Sequence, residues 1–169
     1  CNLLLGLLKP SAGKIYMNDD PILDNKVIKN YISYVPQRIF VLNDTIKNNV
    51  AFGLSDEKID ENLVIKCLKE AELYDLINDR GLNFKVSLDG VNLSVGQVQR
   101  LAIARCLYFQ SKIIIFDEAT SALDYSNEQK ILSLIRKLNK TVLIISHNND
   151  ILKSCDVKFV LEDKTLKQI

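Results

Sequence analysis

IIIFDEATSALD, residues 113–124, sets four large apolar side chains directly before two adjacent carboxylates, Asp117 and Glu118. A short apolar run without polar alternation reads as a strand buried on both faces, as in parallel sheets covered by helices. A second such run, TVLIIS at residues 141–146, ends at Ser146 and His147, the only histidine of the chain. Both runs precede helical segments, so together they predict an α/β sheet. In open α/β sheets, ligands bind beyond the carboxyl ends of the strands. Asp117, Glu118 and His147 all stand at such ends.

Side chains alternate along a strand, so the two carboxylates point in different directions. One can hold a divalent cation, directly or through water, while the other polarises a water for attack on a phosphate. The plainer alternative is that both acids only cap the next helix. His147 can hydrogen-bond a terminal phosphate oxygen or position a water. A lone histidine is more often structural, but its placement parallel to Asp117 and Glu118 favours the functional reading.

Working outward, LSVGQVQR at 93–100 opens a helix over 94–109. Ser94 and Gln97 fit a capping box. A helix N-terminus with free N–H groups suits phosphate, and Gly96 lets backbone approach a ligand. The alternative is an ordinary cap. Gln37, just past the strand ISYVPQ at 32–37, can bind a metal or a water, or be a surface residue.

The rest of the chain fills in around these segments. CNLLLGLLKP at 1–10 reads as a helix stopped by Pro10 and Gly13, GKIYM at 13–17 as a strand, and NDDP at 18–21 as a turn. Helices are expected over 45–52, 56–77 and 126–138, the second from apolar residues at helical spacing, Ile59, Leu63, Leu68, Leu73 and Leu76. VKFVLE and TLKQI suggest a closing hairpin. The predicted architecture is an α/β sheet with a mainly helical insert over about 53–110.

The 169 residues suit one domain; 47% are hydrophobic and 25% charged, enough for a core and for solubility. A net charge of +1 gives no electrostatic case for nucleic acid as a partner. No apolar run approaches the roughly 18 residues needed to span a bilayer. Cys1, Cys67, Cys106 and Cys155 are scattered without metal-ligand spacing and are expected as reduced thiols.

In their fixed order, Gln37, LSVGQ, IIIFDE, SALD and the Ser146–His147 pair resemble the nucleotide-binding domain of ABC transporters, over essentially the whole chain. The resemblance implies a P-loop NTPase-type fold, with catalytic core 1–52 and 111–169 and a helical subdomain 53–110. It matches Gln37 to the Q-loop, which faces magnesium and the membrane-domain interface. Leu93 to Gln97 match the signature motif, Ile113 to Asp117 Walker B, Ser121 to Asp124 the D-loop and His147 the switch histidine. By the same resemblance, Asp117 and Gln37 serve Mg²⁺, Glu118 is the catalytic base, and His147 contacts the γ-phosphate. Ser94, Gly96, Gln97 and Asp124 would serve nucleotide. Two such domains would pair head to tail around ATP, the signature helix of one closing over the ATP of the other. A transmembrane domain would turn that motion into transport at the cytoplasmic face of the inner membrane. The phrase YVPQRIFVLNDTIKNNVAFG is similar to exporter-type domains and implies an exporter or flippase.

Three departures from the family pattern stand out. The sequence holds no glycine-rich phosphate loop; it opens inside what resembles the helix that follows that loop, as though truncated, and ATP hydrolysis by these residues alone is not expected. Val95 stands where the family has glycine, a stiffer and bulkier residue beside a phosphate site. Leu88 and Asp89 stand near the place of an exporter glutamate, which bears on coupling to the membrane domain. Two other classes compete with the transporter ATPase: a degenerate subunit that lends its signature motif without hydrolysing ATP, and a soluble ABC-type ATPase acting on ribosomes or DNA.

Overall fold

A computed structural model describes residues 1–17, 19–21 and 31–169. The centre is a parallel sheet in the order β3 (Ile32–Val35), β4 (Ile113–Asp117), β5 (Thr141–Ile145). β4 is buried through Ile114, Ile115 and Phe116, as an unalternating apolar run requires. β5 departs from that expectation. Its residues are exposed or half-buried, with Leu143 at 36% exposure. Among the described strands it is an edge, so one side of its apolar run lacks a partner strand.

The helices follow their local chemistry. Thr45 caps α1 (Ile46–Val50) by accepting from the Asn48 N–H. The single helix expected over 56–77 is three pieces: a 3₁₀ turn (Asp56–Lys58), α2 (Glu61–Glu70) and α3 (Tyr74–Arg80). Asp60 starts α2 by accepting from the Leu63 N–H. Its end is closed by Leu73 N–H donating to the Leu68 carbonyl at 2.9 Å, while Glu72 turns the chain at φ 53°. Apolar spacing ran through this break because α2 and α3 face the same core, Leu68 and Leu76 included.

The segment expected as the first helix, 1–10, is a set of turns. Leu5 and Leu7 donate back to Cys1 and Asn2, but Gly6 at φ 66° interrupts the helical path. Leu3, Leu4, Leu7 and Leu8 stay exposed, so no buried face stabilises a helix there. The strand expected over 13–17 reduces to β1 (Tyr16–Met17), paired antiparallel with β2 (Asp20–Pro21). The turn expected over 18–21 thus keeps only Asp19 between the strands among the described residues, Asn18 lying outside them.

The long helix α4 (Val95–Tyr108) crosses the core, burying Leu101, Ile103, Ala104 and Leu107. It leads into β4, and β4 into α5 (Tyr125–Lys137), which buries Ile131, Leu134 and Ile135. β5 leads into α6 (Asn149–Lys153). The expected hairpin is β6 (Phe159–Glu162) with β7 (Thr165–Gln168). One apolar cluster runs from Val35 and Ile114 of the sheet through Leu101 to Leu68 and Leu76, so helices and sheet share a core. Among the described residues, no helix is long and apolar enough to cross a membrane.

Candidate functional site

The carboxyl ends of β3, β4 and β5 converge. β4 ends at Asp117, and Glu118 follows in a turn rather than in the alternating strand, so the two carboxylates take different partners. The Tyr34 hydroxyl donates to Asp117 Oδ2 at 2.9 Å. Gln37 Nε2 donates to Glu118 Oε2 at 2.9 Å, and His147 Nε2 lies 3.1 Å from Glu118 Oε1. Gln37, Glu118 and His147, far apart in sequence, therefore form one cluster. Neither carboxylate caps the following helix: that cap is Asp124. Burial, then the hydrogen bond and charge of Asp117, raise the Tyr34 hydroxyl above the ordinary tyrosine value.

Glu118 has φ 48°, a left-handed conformation uncommon outside glycine. It is braced on both sides. Its N–H donates to the Ile145 carbonyl at 2.9 Å, extending the β4–β5 ladder by one bond. Its carbonyl receives the Ser121 N–H at 3.1 Å and the Ser121 hydroxyl at 2.8 Å. The turn lifts the Glu118 side chain off the strand direction toward His147, which is 93% exposed. Beside it lies a pocket of about 360 Å³, bordered by Glu118, Ser121, Tyr125, Glu128, His147 and Asn148. The buried Glu128 accepts from Asn148 Nδ2 at 3.0 Å and so anchors the loop that carries His147.

Ser94, Gly96, Gln97 and Asp124 form a second group at two neighbouring helix starts. The capping box is complete: Ser94 Oγ accepts from the Gln97 N–H at 3.2 Å, and Gln97 Oε1 from the Ser94 N–H at 2.8 Å. Asp124 caps α5, accepting from the Asn127 N–H at 3.0 Å and from its side-chain amide at 2.7 Å. Those bonds hold its carboxyl below the ordinary aspartate value. Gly96 faces this cap; a Cβ there would meet Arg100 Nη1 at 3.4 Å and Asn127 Oδ1 at 3.6 Å, ordinary contacts. Val95 takes the first helical position with its side chain out in solvent, 55% exposed, so the helix accommodates it without a special backbone. Among the described residues, no hydrogen bond joins Ser94, Gly96, Gln97 or Asp124 to Glu118 or His147.

Sequence reasoning passed over Tyr34, Gln99 and Glu128. Tyr34 reads as an alternating strand residue, and only the parallel pairing of β3 with β4 sets its ring toward Asp117. Gln99 and Glu128 are polar residues on the buried faces of helices, a pattern that could have marked them. At the remaining departure, Asp89 turns the chain at φ 56° and lies 3.8 Å from Arg38, both side chains exposed.

The carboxyl ends of the sheet thus carry Gln37, Asp117, Glu118 and His147, and the two capped helix starts form a separate group. The chain matches the family model "ABC transporter" over residues 1–121. It is 44% identical to the Lactococcin-G-processing and transport ATP-binding protein LagD of Lactococcus lactis, across 97% of this chain and 24% of that protein. It is 36% identical to an ATP-dependent lipid A-core flippase of Ralstonia nicotianae, across 95% of this chain and 28% of that one. A bacterial Atm1-family ABC exporter solved with ATP bound superimposes with a TM-score of 0.84 and 32% identity, over 98% of this chain and 30% of the exporter. The chain belongs to the ABC transporter family, and within it is an exporter-type ATP-binding domain. It spans between 24% and 30% of the length of these relatives.

Proposed function

We propose that the chain is the ATP-hydrolysing module of an exporter or flippase, acting at the cytoplasmic face of the cell membrane. The observation that carries this reading is the Glu118 carboxylate, held at the end of β4 between Gln37 and His147. In that position a carboxylate can accept a proton from a water attacking the terminal phosphate. His147, almost fully exposed, donates to the γ-phosphate from the neighbouring strand end. The catalytic core is 1–52 with 111–169, and 53–110 is the helical subdomain.

The donor set suits Mg²⁺. Among the described residues no three His, Cys, Asp or Glu side chains group as a closed metal cage. Mg²⁺ favours one or two carboxylates with waters and nucleotide phosphates over such a cage. Asp117 and the Gln37 amide would hold it, and the ion would neutralise charge on the phosphates. The chain's own work is to orient Glu118 and His147 and to keep Asp117 in place through Tyr34.

Ser94, Gly96, Gln97 and Asp124 belong to the face that meets a second such domain, where the start of α4 closes over the partner's nucleotide. The transmembrane domain sits against a hollow of about 260 Å³ beside the Gln37 segment, walled by Tyr34, Ile39, Phe40, Phe52 and Phe109. Phe40 and Phe109 are about half exposed and supply an apolar seat. The 169 residues alone turn over no ATP, because they hold no glycine-rich loop with its lysine to cradle the β- and γ-phosphates. The test is ATP hydrolysis by a membrane-embedded, full-length transporter carrying this sequence. Glu118→Gln should lower turnover about 100-fold or more while ATP stays bound. Unchanged turnover would remove Glu118 from the reaction.

A further inference from the structure

One buried side chain joins the two halves of the site. Gln99 lies in the second turn of α4 and is 3% exposed. Its Nε2 donates to the carbonyl of Ala119, the residue after Glu118. A buried amide without a partner is costly, so this contact is specific rather than incidental filling.

Its position matters because of what it braces. A left-handed non-glycine residue persists only where its surroundings over-determine it. Around Glu118, the Ile145 bond comes from the sheet and the two Ser121 bonds come from the turn itself. The Gln99 bond to this turn comes from a helix outside the sheet, and that helix starts at Ser94, Gly96 and Gln97. Only one residue separates Gln97 from Gln99 on a rigid helix. A displacement of the first turn of α4 therefore acts on the peptide between Ala119 and Thr120, and through it on the Glu118 backbone.

We propose that Gln99 is a positioning residue for hydrolysis: it couples the placement of the α4 start to the orientation of the Glu118 carboxylate. This rests on the ATPase reading given above. When the α4 start engages nucleotide on a partner domain, Gln99 carries that engagement to the chain's own Glu118.

The experiment compares wild type, Glu118→Gln, Gln99→Met and Gln99→Glu in a full-length transporter carrying this sequence, with turnover divided by bound nucleotide. Gln99→Met keeps length and removes the donor. It should lower kcat about 10- to 100-fold, the scale of a small misplacement of a catalytic group, with KM for ATP within about two-fold of wild type. Gln99→Glu cannot donate as a carboxylate but can when protonated, and burial raises its pKa. Its kcat relative to wild type should climb as pH falls from about 8 to about 6. Because turnover is divided by bound nucleotide, acid recovery of folded protein does not enter this ratio, so the profile decides the matter if Gln99→Met does not fold. Wild-type turnover in Gln99→Met, or a Gln99→Glu profile parallel to that of wild type, overturns the proposal alone. An inactive wild type, or an unaffected Glu118→Gln, overturns the ATPase reading and this proposal with it.

Discussion

Gln37 Nε2 and Glu118 Oε2 stand 2.9 Å apart across 81 residues of sequence. The bond ties the loop after β3 to the strand end of β4, and the other Glu118 oxygen meets His147 after β5. All three strands of the described parallel sheet thus meet on one carboxylate. The Glu118 backbone is fixed separately, by Ile145 and Ser121. Side-chain and main-chain constraints on this residue can therefore be perturbed one at a time.

Gln37→Ala removes one donor from Glu118 and leaves its backbone bonds intact. Turnover should fall about ten-fold, because the carboxylate loses orientation while remaining able to accept a proton. Thermal stability should stay close to wild type, since the bond is solvent-exposed. Parallel ATPase and melting measurements check this; a large drop in Tm would mean that Gln37 holds the fold rather than the carboxylate.

Tyr34→Phe keeps the ring and removes the hydroxyl that donates to Asp117. The expected cost to turnover is about 1 kcal/mol, or roughly five-fold. The pH behaviour follows from the raised Tyr34 pKa. A group whose folded pKa is raised contributes fully below its unfolded value of about 10, and the contribution fades as pH rises through the folded value. The ratio of wild-type to Tyr34→Phe activity should therefore stay flat from neutral pH to about 9. A ratio that fell across that range would show that the hydroxyl loses its proton too early for Asp117 and burial to be raising its pKa.

Arg105→Lys tests the support beneath the Gln37 segment. The Arg105 guanidinium donates to the Asn49 carbonyl at 2.6 Å, to Asn49 Oδ1 at 2.8 Å and to the Phe40 carbonyl, with the Phe52 ring 4.9 Å away. Burial lowers its pKa to about 10, which still leaves it charged at neutral pH. A lysine ammonium cannot reproduce that fork, so acceptors around the fully buried Asn49 lose partners. Unfolding in urea should show a loss of about 2 kcal/mol. A variant as stable as wild type would mean that water replaces the missing donors.

How much of this was readable in the sequence depended on whether the signal was local. The β4 run, the Ser94–Gln97 capping box and the helix into which it opens were legible, because period and capping chemistry act within a few residues. Gln37, Asp117, Glu118 and His147 were readable as strand-end residues. That Glu118 would bend to φ 48° and be held from both sides was not, since this follows from the pairing of β4 with β5. The break at Glu72 was hidden by apolar spacing that continues across it. The exposed leucines of 1–8 misled in the opposite sense, offering helical spacing with no core to receive it. Tyr34 meets a partner distant in sequence, and one sequence carries no mark of such a pair, whereas Gln99 was marked only as a polar residue on a buried helix face.

The cysteines give a test independent of nucleotide. Cys106 is buried in α4, and burial pushes its thiol up to about 12; Cys67, in α2, is pushed to about 11. Cys1 and Cys155 are only half-buried. Alkylation requires the thiolate, so at about pH 8 native protein should be labelled at Cys1 and Cys155 while Cys67 and Cys106 stay protected. The shifts also set a slope in stability. Thiols whose folded pKa lies above the unfolded value of about 8.5 favour the native state fully below that pH, and the advantage declines as pH rises from there toward 11 and 12. Urea midpoints should therefore decrease from about pH 8.5 upward, and Cys106→Ala should flatten part of that decrease. Rapid labelling of Cys106 in native protein at about pH 8 would show that α4 opens readily, and would place that helix outside the stable core.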